Sequence, residues 1–520
     1  MNHIRINLII TFIMALTAYT TANAQNMNDI YTLQNHTIPY GTPRFMGMGG
    51  AMGAVGGDVS STYINPAGGA MAIKNEVSAT LGVEFASNDA LYYGNSEKTN
   101  DDANLSLFQA GANFVYVTRD DYTSFNSFSI GINYSRRSNF HNDYMWAGRN
   151  TTITDWVGGS PIGSSIVEET FRLANDGYET SAVYMAEKIG VISRYNDPSG
   201  DYYLPEAEYN DIDQSARRVM SGYSGVTTLS ASMNIKNRFY IGLGFDFISL
   251  DTPDNNLYMD EWGFTRNDQL FHDGVSNLYY DRFTSQSGWG TSFTIGFIGK
   301  VTDEFRLGFS WKSAARYDIE EYYSYRMGAE FFDNTIREES DNPSYGGPNK
   351  YTFKSPSEWT VSAAYVFGQK GMLSVDYMLK DYSAMRFRDD PYFDYENQII
   401  KEQMQLCQTL RIGGELRLYP VSIRAGFNYI TSPYKDVSVE RVSQSSPQAR
   451  EYINLPQGVG ETMNLSMGIG VNLGEYFTVE ATYMGSKYSS YQYLYSPTLT
   501  DAVKRDMFSH HIAIGATFRF

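Results

Sequence analysis

The chain has 520 residues, of which 42% are hydrophobic, 19% charged and 15% aromatic, and its 58 acidic against 40 basic side chains leave a net charge of −18. Aromatics at this density exclude a disordered chain, and the acidic balance excludes a general nucleic-acid binder, which needs a basic surface to neutralise phosphates. A mean hydropathy of −0.37 and the lack of a mature apolar run of about 20 residues exclude helical membrane spans, whereas 42 tyrosines, 30 phenylalanines and 46 glycines suit a β-protein with many turns, secreted or closed into a barrel.

Residues 1–24 read as an export signal. Arg5 supplies a positive start, Ile6 to Ala18 is largely apolar, and Ala22-Asn23-Ala24 forms a small-x-small cleavage site before Gln25. Cys407 is the only cysteine, so no intrachain disulfide forms and the thiol is expected to be an inert strand residue. A glycine-dense stretch from Gly41 to Gly69 comes next, within a segment 25–74. It contains Met46-Gly47-Met48-Gly49-Gly50-Ala51, Gly56-Gly57-Asp58 and Asn65-Pro66-Ala67-Gly68. No Lys-Ser/Thr follows and no βαβ unit surrounds it, so it is not read as a phosphate cradle. Small residues let backbone pack in a crowded space, and Asn65 before Pro66 fixes a turn at the entrance to the first strand.

From about residue 75 to the end, segments of alternating apolar and polar residues recur, and fourteen strands are predicted. The first three span 75–86, 107–118 and 126–138, and the last three span 461–473, 475–488 and 508–520. In the last, Ile512, Ile514, Ala516, Phe518 and Phe520 share one face and His511, Ala513, Gly515, Thr517 and Arg519 the other. Connections such as Lys236-Asn237-Arg238 and Tyr419-Pro420 are tight. They alternate strictly with long ones: 87–106, 139–223, 251–287, 316–354, 386–404, 433–460 and 489–507. A soluble sandwich has no reason to sort its loops by length; an antiparallel transmembrane barrel with short periplasmic turns and long extracellular loops does. The expected fold class is therefore all-β, a 14-stranded antiparallel transmembrane β-barrel over 75–520, with an N-terminal hatch or plug at 25–74. The long loops are partly helical, with helices expected near 166–173 and 184–189 and a third over 206–220. An even strand count keeps both barrel ends on the periplasmic side. Phe520 with Phe518 resembles the C-terminal signal read by the barrel assembly machinery of a Gram-negative outer membrane.

The Met46 to Ala51 run, Gly56-Gly57-Asp58 and Asn65-Pro66-Ala67-Gly68 resemble the N-terminal hatch of FadL-type outer-membrane transporters. The resemblance is close in motif over about 41–70 and extends to the mature chain in architecture. It implies transport of hydrophobic small molecules, fatty-acid-like or aromatic, by lateral diffusion out of a plugged barrel. It also implies that Asn65, Pro66, Ala67 and Gly68, with Gly49 and Gly50, form the hatch motif. The family's lateral gap comes from a kinked strand, for which Gly131 in the third strand is a permissive position.

The partners implied are the hydrophobic ligand, outer-membrane lipid and the assembly machinery, with a monomer as the working unit. Three other readings compete. A FadL-like barrel also serves as a scaffold or binding component of secretion systems. A polar diffusion pore would use the inward charges Arg306, Arg411, Glu415, Arg424 and Glu480, but a hatch would block it. An enzyme would draw on Ser509-His510-His511; adjacent histidines on a strand point to opposite faces, so no catalytic, metal or cofactor site is expected. His36, His141 and His272 are isolated loop histidines rather than haem ligands.

Overall fold

The computed structural model describes residues 38–118, 125–150, 156–157, 160–161, 165–198, 200–207, 211–264, 274–388, 393–442, 450–455, 458–493 and 502–520. The expected export signal, His36 and His272 lie outside the described residues. Fourteen strands close a barrel: β1 (Glu76–Tyr92), β2 (Asn104–Val117), β3 (Phe125–Asn139), β4 (Tyr223–Ile235), β5 (Phe239–Thr252), β6 (Val275–Lys300), β7 (Phe305–Lys312), β8 (Glu358–Val366), β9 (Gly371–Asp381), β10 (Leu406–Leu418), β11 (Val421–Ile430), β12 (Gly458–Leu473), β13 (Phe477–Gln492) and β14 (Val503–Arg519). Each pairs antiparallel with its predecessor, and β14 returns to β1 from Glu76↔Arg519 to Leu91↔Lys504. The sheet thus closes on itself, the architecture that lets strands cross hydrocarbon.

Alternation sets the two faces. On β5, Phe239, Leu243, Phe245 and Phe247 are exposed while Tyr240, Gly242, Gly244 and Asp246 are buried. Ile512, Ile514 and Phe518 point outward on β14, with His511, Ala513 and Thr517 inward. Exposed Leu81, Leu107, Ile130, Phe293, Val361 and Leu465 continue this apolar belt round the barrel, as a lipid-facing surface requires. Short turns join strands at one end; Lys236 and Asn237, both in the left-handed region at φ 53° and 52°, make the tight one between β4 and β5.

At the other end the long connections are mostly further sheet. Strands at Asn142–Asn150, Ile212–Met220 and Asn255–Trp262 pair with one another, and Arg316–Phe331 continues the ladder on β6. The helix expected over 206–220 is thus a strand over 212–220. Its buried residues, Ile212, Gln214, Ala216, Arg218 and Met220, fall at every second position, a period that serves a sheet and not a helix. The other two helices form as α1 (Ile166–Asn175) and α2 (Ser181–Ile189), capped by the side chains of Ser165 and Thr180. A third helix, α3 (Asp394–Gln403), was not foreseen. Helices α1 and α2 bury Val167, Leu173, Met185 and Ile189 in one core with Trp146 and Phe331 above the barrel.

Candidate functional site

The glycine-dense segment packs against the inward faces of the wall, from Glu76 and Glu84 on β1 and Asn113 on β2 round to β14. Three side chains shape it locally. Thr42 caps the turn Pro43–Gly47 through Phe45 N, Asp58 caps Val59–Tyr63 through Ser60 N, and Asn65 caps Pro66–Met71 through Ala67 N. Asp58 also accepts from Thr42 Oγ1 at 3.0 and 2.9 Å, tying the first turn to the second. Gly49 and Gly50 sit at φ 62° and 77°, which strains residues bearing a Cβ. The wall is thinned to admit the segment: a Cβ on Gly426 would lie 2.2 Å from Gly49 N, and one on Gly296 2.0 Å from Asn65 Oδ1.

Asn65 is spent in both directions. Its Oδ1 accepts from Ala67 N at 3.2 Å, and its Nδ2 donates to Gly53 O at 2.8 Å and Phe297 O at 3.1 Å. Pro66 and Ala67 fit against Gly242 and Gly244 of β5, and Gly68 lies against Gly56. The six residues singled out as a hatch motif therefore sit at the places where the segment meets itself or the wall.

The charges that could have lined a wet pore hold this segment instead. Glu415 accepts from Arg44 Nε of the segment at 2.9 Å, from Arg424 Nε at 2.7 Å and from Arg417 Nε at 2.6 Å, and Arg424 Nη2 reaches Glu480 at 2.8 Å. Arg306 donates to Val55 O at 3.1 Å, and Asp376 accepts from Gly53 N at 3.0 Å. A buried network of this kind holds only while every charge keeps a partner.

Beside the segment is a cavity of about 70 Å³, lined by Phe45, Tyr63 and Ile64 from the segment and by Arg137, Lys380 and Tyr382 from the wall. Its walls carry more cations than acids. Lys380 lies 3.2 Å from Glu358, and Lys312, 3.1 Å from Asp246, stands over the Tyr63 ring at 3.4 Å. Arg137 bonds the Tyr317 hydroxyl and has no carboxylate partner among the described residues. A second cavity of about 140 Å³ adjoins it, lined by Tyr40, Glu84, Asp101, Asn142, Arg505 and His511 among others. Burial pushes the Asp101 carboxyl up from its ordinary range, against the lowering effect of a hydrogen bond from Asp143 N at 2.8 Å.

This second cavity lies where the wall itself is incomplete. Strands β2 and β3 pair from Val117↔Ser127 up to Gln109↔Ser135. Above that no backbone pairing joins Asn104–Phe108 to Arg136–Asn139 among the described residues. A bulge borders the gap on each side. Phe108 is the extra residue between Thr80↔Gln109 and Leu81↔Leu107, and Arg137 the extra one between Gly225↔Arg136 and Ser224↔Ser138. The distortion is in the third strand but not at Gly131, which pairs regularly with Asn113 and Ser230. The signal was present in Tyr134-Ser135-Arg136-Arg137-Ser138: alternation would put one arginine on the apolar outer face, and the bulge turns both inward, leaving Ser135 to Ser138 all buried.

Phe518 and Phe520 lie elsewhere, on the outer surface at 46% and 48% exposure with rings stacked at 5.5 Å. His510 and His511 do point apart: His510 stacks on Phe85 outside, and His511 faces Glu84 inside. Cys407 is buried with its Sγ on Thr431 O.

No family model and no curated protein matches the chain. Among solved structures, a Pseudomonas aeruginosa FadL homologue is similar over 93% of this chain and 99% of its own, at 12% identity and a TM-score of 0.52. The Pseudomonas putida toluene transporter TodX is similar over 93% and 99%, at 10% identity and a TM-score of 0.49. With the first of these the chain shares the FadL-type barrel fold.

Proposed function

We propose that the protein moves hydrophobic small molecules into a Gram-negative outer membrane, with residues 25–74 as a hatch, 75–520 as the barrel and 1–24 as a cleaved export signal. One observation carries this reading: the segment packs inside the barrel while the wall beside it lacks its ladder between Asn104–Phe108 of β2 and Arg136–Asn139 of β3. A molecule entering from the cap has no axial route and leaves sideways into lipid. The FadL-type fold and the apolar belt support the same reading, with a monomer as the proposed working unit. Phe518 and Phe520 would serve recognition by the assembly machinery, and the belt would contact outer-membrane lipid.

The surplus of cations over acids around Arg137, Lys312 and Lys380 favours a molecule with an acidic head over a bare hydrocarbon. An anion there relieves the cost of an uncompensated buried cation. Its tail gains about 0.8 kcal/mol per buried methylene, so a tail of about twelve carbons gains about 10 kcal/mol before ordering costs. One site of that strength would trap its ligand, and a succession of weaker sites is what transport needs.

The test is uptake of radiolabelled palmitate and of toluene by cells expressing the protein. Palmitate uptake above that of cells without it is expected, slowed by Asn65→Ala with the barrel still folded by heat-modifiable mobility. Uptake equal to the control for both compounds would sink the reading; unchanged uptake in Asn65→Ala would sink the hatch assignment.

A further inference from the structure

We propose that Arg136 is a latch that closes the unpaired seam between β2 and β3, and that Tyr40 of the lumenal segment sets it. This rests on the reading of the seam as an exit. Where the ladder stops, one guanidinium takes its place. Arg136 on β3 reaches past β2 to β1, donating from Nη1 to Glu84 Oε1 at 2.9 Å and to Ser106 Oγ on β2 on the way. Its guanidinium also lies 5.3 Å from the centre of the Tyr223 ring on β4. Arg136 is 6% exposed and Glu84 3%, so the pair is desolvated, and parting it leaves a charge without compensation.

Glu84 is shared, and that makes the latch responsive. Its Oε2 accepts from the Tyr40 hydroxyl at 2.7 Å and lies 3.3 Å from His511 Nδ1 on β14. Tyr40 holds that oxygen and so leaves Oε1 facing Arg136. The same ring sits edge-on to Phe108, the bulged residue of β2, at 5.0 Å, and both are fully packed with Met46, Met484 and Ala513. One residue of the segment thus touches the bulge on one border of the seam and the acceptor of the bridge across it. A run of backbone pairs separates only by losing several hydrogen bonds together, whereas this closure rests on the contacts of one side chain. Movement of the segment that withdraws Tyr40 frees Glu84 to turn toward His511 and loosens Arg136.

Pulsed spin-label distances on the full-length protein in detergent, in a Cys407→Ser background, test this without any ligand. Labels at Leu105→Cys on β2 and Leu229→Cys on β4 stand on the exposed outer face on either side of the seam. A single narrow distance is expected with Arg136 in place. Arg136→Gln and Glu84→Gln each add a longer-distance population, Tyr40→Phe adds a smaller one, and Arg136→Lys, which keeps the charge, restores most of the narrow distribution. Distributions in Arg136→Gln and Glu84→Gln identical to the unmutated protein overturn the proposal. If either fails to fold by heat-modifiable mobility, Tyr40→Phe, which loses only a hydroxyl, decides by the same criterion. Absence of palmitate uptake by the unmutated protein refutes the transport reading and leaves these distances, and the latch, to stand or fall separately.

Discussion

Two stretches of the same barrel wall hold the lumenal segment on backbones of different regularity. From β9 to β11 the ladder runs without a slip, from Gly371↔Leu416 to Asp381↔Leu406 and from Thr409↔Ile430 to Leu418↔Val421. That stretch grips the segment through Asp376 and Glu415, the latter braced by Arg424. From β1 to β4 the ladder slips at Phe108 and Arg137, and between β2 and β3 it stops above Gln109↔Ser135 among the described residues. Beside it Asn88, Asp101 and Asn142 keep buried side-chain oxygens with no hydrogen-bond partner among the described residues. Regular wall whose charges pair with the segment fixes what it touches; bulged wall that has lost part of its ladder sits at the low-stability end of a structure, where movement is least costly. The difference marks the β9–β11 side as the firmer support of the segment.

The contrast breaks most directly at Glu415. Glu415→Ala leaves Arg44 and Arg424 buried without their shared carboxylate, and a loss of about 3–5 kcal/mol is expected. It is read as a lower unfolding temperature in detergent and as new protease cleavage between residues 38 and 75. An unchanged unfolding temperature with the segment still protected would mean that the regular wall is not the anchor.

Closing the space made for the segment should act next. Gly296→Ala puts a methyl 2.0 Å from Asn65 Oδ1, so the segment or β6 must shift, at about 1–3 kcal/mol. Hydrogen exchange at residues 65–68 should rise while the barrel strands stay protected. Equal exchange in the two proteins would show that the segment has slack at that wall.

Removal of Phe520 tests the barrel's own closure, which lies beside the irregular side. It deletes the two backbone bonds to Asn75, at 3.0 and 3.1 Å, and the ring stacked on Phe518. At about 0.5–1.5 kcal/mol per hydrogen bond the folded barrel survives, so the expected fall is in the yield of heat-modifiable protein in membranes. A normal yield would show that the terminal ring is dispensable for assembly.

How much of this was open to sequence reading differs between the same two stretches. All fourteen strands were legible because each carries a period of two with one apolar face, and the turn at Asn65 because an asparagine before proline marks one. The alternation of short and long connections gave the closure. The cap strand 212–220 was misread because Ala216, Arg217 and Arg218 are good helix formers, and what decided against a helix was a sheet partner at 142–150 that local preference does not reveal. The gap was missed for a related reason. A ladder ends where two strands diverge, which is a relation between segments, and the only local trace is a pair of arginines where alternation allows one. Inward charges were read correctly as inward, but whether they line water or hold a segment depends on Arg44, more than 370 residues from its partner Glu415 in sequence.

The smallest effect is expected at Asp101, where it sharpens the picture of the bulged side. Its Oδ1 accepts from Asp143 N, but Oδ2 is buried without a partner, and burial raises its pKa. A carboxyl that holds its proton more tightly when folded than when unfolded contributes stability at low pH. That contribution falls as pH climbs from the ordinary aspartate range through the raised value, because the folded state then gives up a proton it bound in excess. Asp101→Asn keeps the acceptor for Asp143 N and removes the charge. The loosening of residues 140–143 with rising pH, followed by amide exchange after correction for its intrinsic rate, should therefore flatten in the variant, leaving the cap slightly tighter near neutral pH. The same pH slope in both proteins would mean that Oδ2 is hydrated, and that the unsatisfied atoms beside the seam exert no pull on its stability.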